Sequence, residues 1–122
     1  MTLSVEALAH LVDHTELKPE VKRSKIQQLC EEAKSYGFAA VCINPVHVGY
    51  AAELLKDSAV KVCCVIGFPL GATLSTVKAF EAKEVVRLGA GEVDMVLNIG
   101  ALRDQNYDLV RSDIETVVSA AD

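Results

Sequence analysis

What most narrows the fold of this 122-residue chain is a unit that recurs along its whole length. A short apolar run ends in polar, Gly or Pro residues, and an amphipathic stretch with helical spacing follows. After a short helix near Ser4 to His10, "LVDHT" (11–15) reads as a first strand. It leads through "ELKPE" into a helix over about 20–36, with Pro19 in its first turn and Gly37 as its stop. "FAAVCIN" (38–44) is the second strand, passing at Pro45 into a helix that carries Val48, Ala51, Ala52, Leu54 and Leu55. The third, "VKVCCVIGF" (60–68), breaks at "GFPLG" before a helix from about Leu74 to Leu88. "GAGEVDMVLNI" (89–99) supplies the fourth strand, and "NYDLVRSDIETVVSAA" its helix, with Val110, Ile114, Val117 and Val118 on one face.

Strands separated by helices of about 10 to 15 residues predict right-handed crossovers and a parallel α/β sheet covered by helices. The chain reads as one domain, 1–122, with no low-complexity segment, linker or internal boundary. Two architectures fit: an open doubly wound sheet, or part of a (β/α)8 TIM barrel. A complete barrel needs roughly 200 residues or more, so the second makes these units about half of one.

Charge and composition exclude several classes of function. Lys plus Arg total 12 against 17 Asp plus Glu, a formal charge of -5, and no basic run occurs, which argues against nucleic acid or an anionic membrane as partner. No apolar run approaches the ~20 residues of a membrane span, and "MTLSVEALAH" lacks the pattern of a signal peptide. A cytoplasmic protein is the expectation. Cys30, Cys42, Cys63 and Cys64 make no zinc-finger spacing and read as reduced, mostly buried thiols, with Cys63 and Cys64 on opposite faces of their strand.

In either architecture ligands gather at the carboxyl ends of the strands. On the fourth strand Asp94, Val96 and Asn98 share one parity, opposite Val93, Met95 and Leu97. Ala40, Cys42 and Asn44 fall together on the second, and Asp13 and Thr15 on the first. A carboxylate inside an apolar strand is costly unless paired, hydrogen-bonded or useful. Asp94 therefore fits best a solvated or hydrogen-bonded pocket on the mixed face, with a carboxylate that caps a turn or accepts from neighbouring amides as the alternative. "VIGFPLGA" (65–72) reads better as a tight structural turn than as a phosphate cradle, since it matches neither common phosphate-loop pattern. His10, His14 and His47 are not spaced like a metal site and read as hydrogen-bonded or exposed, while "EEAK", "EAKE" and "RSDIE" read as solvated helix faces.

Together, "DHTELKP" (13–19), "LCEEAKSYGFAAVCINP" (29–45), "VKVCCVIGFPLGA" (60–72), "VKAFEAKE" (77–84) and "GAGEVDMVLNIGAL" (89–102) resemble the N-terminal half of the deoxyribose-phosphate aldolases, class I aldolases with a (β/α)8 barrel. The resemblance implies reversible cleavage of 2-deoxy-D-ribose 5-phosphate to acetaldehyde and D-glyceraldehyde 3-phosphate through a lysine Schiff base, with no metal and no cofactor. It further implies Asp94 as the strand-borne group that relays protons and Asp13 as a first-strand aspartate that supports the lysine pair by hydrogen bonding, with Thr15, Cys42 and Asn44 lining the substrate pocket. The implied partners are a small phosphorylated sugar and an aldehyde; separately, the two open strand edges of a half barrel invite pairing with other copies of the chain, as a homo-oligomer or by association through those edges.

Two departures accompany the likeness. Glu16 stands where the family usually places an apolar residue. More important, the family's Schiff-base lysine lies in a "K-T-S-T-G"-like motif on the sixth strand and its helper lysine in "K-A-S-G-G", and neither occurs here. Lys18, Lys22, Lys25, Lys34, Lys56, Lys78 and Lys83 read as loop or helix-face residues and Lys61 opens a strand at its amino end, so none reads as a desolvated, reactive amine. The expectation is a chain inactive alone, with a non-catalytic, truncated half-barrel that self-associates as the alternative. A signalling receiver domain fits poorly, because its acceptor aspartate belongs on the third of five strands.

Overall fold

In the computed structural model, which describes residues 2–122, every expected apolar run forms a strand and every expected amphipathic stretch a helix. The order is α1 (Val5–Ala9), β1 (Asp13–Glu16), α2 (Arg23–Tyr36), β2 (Ala40–Ile43), a 3-10 turn at Pro45–His47, α3 (Val48–Leu55), β3 (Lys61–Ile66), α4 (Ser75–Arg87), β4 (Glu92–Met95), α5 (Ile99–Arg103) and α6 (Tyr107–Ala121). Helix α2 shows why these segments are helical: Ile26, Leu29, Cys30 and Ala33 recur at the spacing of one helical face, and all four are buried. Gly37 ends it at φ 67°, a left-handed conformation in which its N–H reaches the Ala33 carbonyl.

The four strands form one parallel sheet in the order β1-β2-β3-β4. A doubly wound sheet reverses its strand order and carries helices on both faces. Here the order follows the chain and the helices lie on one face. Val41, Ile43, Val62, Cys64 and Ile66 point into a single core with Ile26, Leu29, Val48, Leu55, Val85 and Val117 from the helices. The opposite face holds only a small cluster of Ala40, Cys42, Cys63 and Val65, with Leu17 packed on it. Strictly alternating side chains thus divide a helix-covered face from a bare one.

Several expected boundaries move. The first strand begins at Asp13, because Leu11 and Val12 continue the turn that closes α1, with Leu11 exposed. Helix α2 starts at Arg23, so Pro19 lies in the turn before it. Strand β4 stops at Met95, and Asn98 caps α5, its Oδ1 accepting from the Ala101 N–H at 3.0 Å. Asn98 therefore does not extend the face that carries Asp94. At Glu16 the polar residue is accommodated locally, since its carboxylate accepts from the Lys18 N–H at 3.1 Å.

The largest correction concerns Lys78 and Asp113, read from sequence as solvated. Helix α6 packs along α4, and these two side chains are enclosed at 0% and 1% exposure. Val117 follows Asp113 on the buried side of α6, while Ile114 and Val118 face outward. Lys78 Nζ lies 2.6 Å from Asp113 Oδ2, the Ser75 hydroxyl donates to Oδ1 at 2.7 Å, and the Asn98 N–H donates to Oδ2 at 3.2 Å. A Cβ at Gly67 would sit 3.1 Å from Lys78 Cε, so the end of β3 rests directly on the lysine stem. Burial alone would raise the Asp113 carboxyl, but the hydrogen bonds from Lys78 and Ser75, the Lys78 charge and the Asn98 amide outweigh it and hold the group below its ordinary 3.8.

Removing one member of a buried pair strands the other charge, which typically costs about 3–5 kcal/mol. Lys78→Met is expected to lower the stability measured by urea unfolding by about that much, and Lys78→Met with Asp113→Leu to recover a large part of it. A second expectation follows from the depressed carboxyl. Its contribution is complete above the unfolded value of 3.8 and is lost as pH falls through the lower folded value. The gap in urea midpoint between the parent chain and Asp113→Asn should therefore narrow on acidification below that point, and a gap constant with pH would contradict the assignment.

Candidate functional site

The bare face of the sheet gathers the polar side chains. Register places Asp13 beside Ala40, Thr15 beside Cys42, Cys42 beside Cys63, Cys63 beside Glu92 and Val65 beside Asp94, so all of these share one face. Val93 and Met95, of opposite parity, pack against the helix-side core. Asp94 is thus carried by an otherwise apolar strand yet is exposed on the uncovered side, and the cost of burying an unpaired carboxylate does not arise.

One sulfur from each of Cys42 and Cys63 and one Asp94 carboxylate oxygen all lie within 4.8 Å of one another, and the same holds for Asp13, Cys63 and Glu92. Asp13 stands two strands away from Cys63; the intervening residue is Ala40, whose methyl group leaves the carboxylate room to lean across. A concavity of about 490 Å³ opens here, lined by Asp13, Cys63, Glu92, Val93, Asp94 and Met95. Glu92 is paired with Lys61 at 3.0 Å, whereas among the described residues neither Asp13 nor Asp94 has a cationic partner. Lys61 reaches this face only at the amino end of β3.

The expected site residues are only partly brought together. Asp13, Cys42 and Asp94 converge on Cys63. Thr15 lies beside Cys42 in register and its hydroxyl donates to the Asp13 carbonyl at 2.8 Å. Asn44 departs from the expectation of one shared pocket: it follows the end of β2, its side-chain amide donates to the Leu17 carbonyl at 3.0 Å, and it lines a separate concavity of about 440 Å³ with Lys18, Pro19, His47 and Phe68. His14 has the opposite parity and turns to the helix side, where its Nε2 lies 2.6 Å from Glu32 Oε2. That contact, with a hydrogen bond from Gln28, holds the Glu32 carboxyl below its usual value.

Sequence reasoning missed Cys63 and Glu92. The signal was present in parity, because Cys63 shares a face with Val65, but only the pairing of β3 with its neighbours shows that it meets Cys42 and Glu92. The Gly-Phe-Pro-Leu-Gly turn serves a neighbouring loop. Gly67 and Gly71 have φ of 58° and 64°, the Gly71 N–H donates to the Gly67 carbonyl at 2.7 Å, and a Cβ at Gly71 would lie 2.2 Å from the Leu97 carbonyl oxygen. A larger cavity of about 560 Å³ lies along α4, lined largely by apolar side chains such as Phe68, Val77, Phe80 and Leu88, and is separate from the face that carries Asp94.

All four cysteines are free and buried. Burial pushes the Cys30 thiol up to about 11 and the Cys64 thiol up to about 12. Its hydrogen bond with Cys42, burial and the carboxylates of Asp13 and Asp94 all raise Cys63. Iodoacetamide at pH 8 should therefore leave Cys30, Cys63 and Cys64 of the native chain unmodified, and modify all four cysteines in concentrated urea; peptide mapping of the native sample reads this, and an alkylated Cys64 would contradict it.

An all-parallel sheet in chain order, with helices on one face and polar groups on the other, defines about four units of a (β/α)8 barrel. Comparison with known proteins agrees. The family model described as DeoC/LacD family aldolase matches residues 7–122. The deoxyribose-phosphate aldolase of Macrococcus caseolyticus is 60% identical over 114 residues, which are 93% of this chain and 52% of that protein. The Clostridium perfringens enzyme of the same name is 58% identical over 117 residues, 96% of this chain and 52% of the relative. Among solved structures, a Coccidioides immitis protein assigned as a deoxyribose-phosphate aldolase superposes with a TM-score of 0.94 at 42% identity, over 98% of this chain and 47% of the other. The deoxyribose phosphate aldolase of Aeropyrum pernix, itself a tetramer, gives 0.83 at 34% identity, over 97% and 50%. The chain belongs to the DeoC/LacD aldolase family and spans about half the length of the relatives it matches.

Proposed function

We propose that residues 1–122 form, without internal boundary, the N-terminal half of a deoxyribose-phosphate aldolase barrel. The reaction of that barrel is reversible cleavage of 2-deoxy-D-ribose 5-phosphate to acetaldehyde and D-glyceraldehyde 3-phosphate. The observation that carries this reading is the Asp94 carboxylate, uncovered and without a cationic partner among the described residues, on the face that a closed barrel turns inward. In this role Asp94 exchanges protons with the reacting carbon and oxygen through water, Asp13 supports the charge balance from across the sheet, and Thr15 and Cys42 border the substrate. Asn44 acts from the neighbouring concavity by holding the β1 and β2 exits together.

The nucleophile of a class I aldolase is a lysine amine that forms an imine with the substrate carbonyl. Lys78 does not fill that role, since it is enclosed and paired with Asp113 on the helix side, and Lys61 is paired with Glu92 at the amino end of its strand. No "K-T-S-T-G"-like motif occurs in these residues. The amine therefore comes from outside them, and the chain alone is inactive. Four unpaired thiols suit a reducing compartment, and we place the reaction in the cytoplasm. A second reading, a self-associating structural module, is favoured by the free edges of β1 and β4 and by exposed Ile99 and Leu102 on α5 and Ile114 and Val118 on α6.

The test supplies the C-terminal four units of the Clostridium perfringens relative as a separate polypeptide. Acetaldehyde and borohydride should leave a reduced adduct on a lysine of the added half, and none on this chain alone. In the reconstituted pair Asp94→Asn should lower kcat by about 10²–10⁴ with a small change in KM. An adduct on a lysine of the isolated chain, or full turnover with Asn at position 94, would overturn the reading.

A further inference from the structure

The inner face combines features that the aldolase reading does not use together. Two sulfurs and a carboxylate oxygen from three successive strands lie within 4.8 Å of one another. A tetrahedral zinc with Zn–S bonds of about 2.3 Å and Zn–O bonds of about 2.1 Å holds its donor atoms roughly 3.6–3.8 Å apart. Small side-chain rotations therefore bring Cys42, Cys63 and Asp94 to that spacing while the strands stay still. The backbone is already rigid there, because Cys42 and Cys63 are direct register partners in the middle of the sheet.

Charge points the same way. Asp13 approaches Cys63 on the same face, from the β1 edge, and neither Asp13 nor Asp94 is balanced by a cation among the described residues. Lys61, the basic group at the foot of β3, is already paired with Glu92. The thiols are only 5% and 3% exposed, but Asp94 beside them is exposed, so an ion has an open approach from the bare side. Two soft sulfur donors with hard carboxylate oxygen select zinc or cadmium over magnesium or calcium, which prefer oxygen alone.

We propose that Cys42, Cys63 and Asp94 form a binding site for one thiophilic divalent cation, Zn²⁺ or its analogue Cd²⁺, with the Asp13 carboxylate or a water as fourth ligand. Both sulfurs bind as thiolates, so any proton still held by either thiol passes to solvent as its sulfur–metal bond forms. The site stands on donor atoms alone. One consequence does rest on the aldolase reading: an ion held there occupies the Asp94 carboxylate and competes with its proton transfer.

Cadmium titration of the whole 122-residue chain tests the site. An ultraviolet sulfur-to-cadmium charge-transfer band is expected to saturate at one ion per chain. Cys42→Ser and Cys63→Ser should each lose most of it, Asp94→Asn should weaken binding by about 10-fold or more, and Cys30→Ser and Cys64→Ser, on the helix side, should retain it in full. Excess magnesium should not displace the ion. X-ray absorption of the zinc-loaded parent chain, which needs no variant to fold, should show two sulfurs at about 2.3 Å with oxygen completing the shell. Absence of a thiolate band at millimolar cadmium, a band that survives both inner-face cysteine substitutions, an all-oxygen shell, or a four-sulfur shell shared by two chains would each overturn the proposal.

Discussion

Asp113 is the point at which four separate stretches of chain are held together. Its carboxylate takes the Lys78 ammonium from α4, the Ser75 hydroxyl from the start of that helix, and the Asn98 amide from the turn after β4, while the Lys78 stem supports Gly67 at the end of β3. A buried ion pair stabilises only when its remaining hydrogen-bonding capacity is met, because desolvation of the charges is otherwise dominant. Here both carboxylate oxygens are engaged, and among the described residues no buried side-chain nitrogen or oxygen lacks a partner. The arrangement positions the strand exits of β3 and β4 relative to each other, and with them the segment that carries Asp94.

On the other side of the sheet the balance is reversed. Behind β3 and β4, between α4 and α6, a lysine and an aspartate neutralise one another in a buried contact; in front, Asp13 and Asp94 have no cationic partner among the described residues, and two thiols lie between them. A barrel of the DeoC/LacD family closes that face with further strands, and the solved relatives are about twice as long as the matched region. The excess negative charge is thus a local property of these four units. It suits a site that receives a positively charged group, whether an ammonium from elsewhere in a barrel or a soft metal ion held by Cys42 and Cys63.

Period and parity made much of this visible in advance. The alternation of Val93, Asp94 and Met95 placed the aspartate opposite the core, and the same rule separated His14 from Asp13 and Thr15. Lys78 reads from sequence as a loop or helix-face residue and Asp113 as part of the solvated face "RSDIE", because local periodicity carries no sign of the contact between α4 and α6 that encloses both. Asn98 was misread because the apolar run continues past Met95, although the backbone leaves the sheet there to cap α5. Cys63 was read as a small hydrophobe, and its place at the centre of the polar cluster depends on which strands flank it.

By itself the sequence settled the alternation of strands and helices, the side of each strand on which a residue lies, and the resemblance to an aldolase half-barrel. These properties depend on local period and on motifs a few residues long. Tertiary structure alone decided that the sheet is wound in one direction, that α6 lies against α4 closely enough to enclose a salt bridge, and that Asp13 reaches over Ala40 toward Cys63. Each of those outcomes depends on contacts between segments far apart in the chain, where packing and charge neutralisation override local preference.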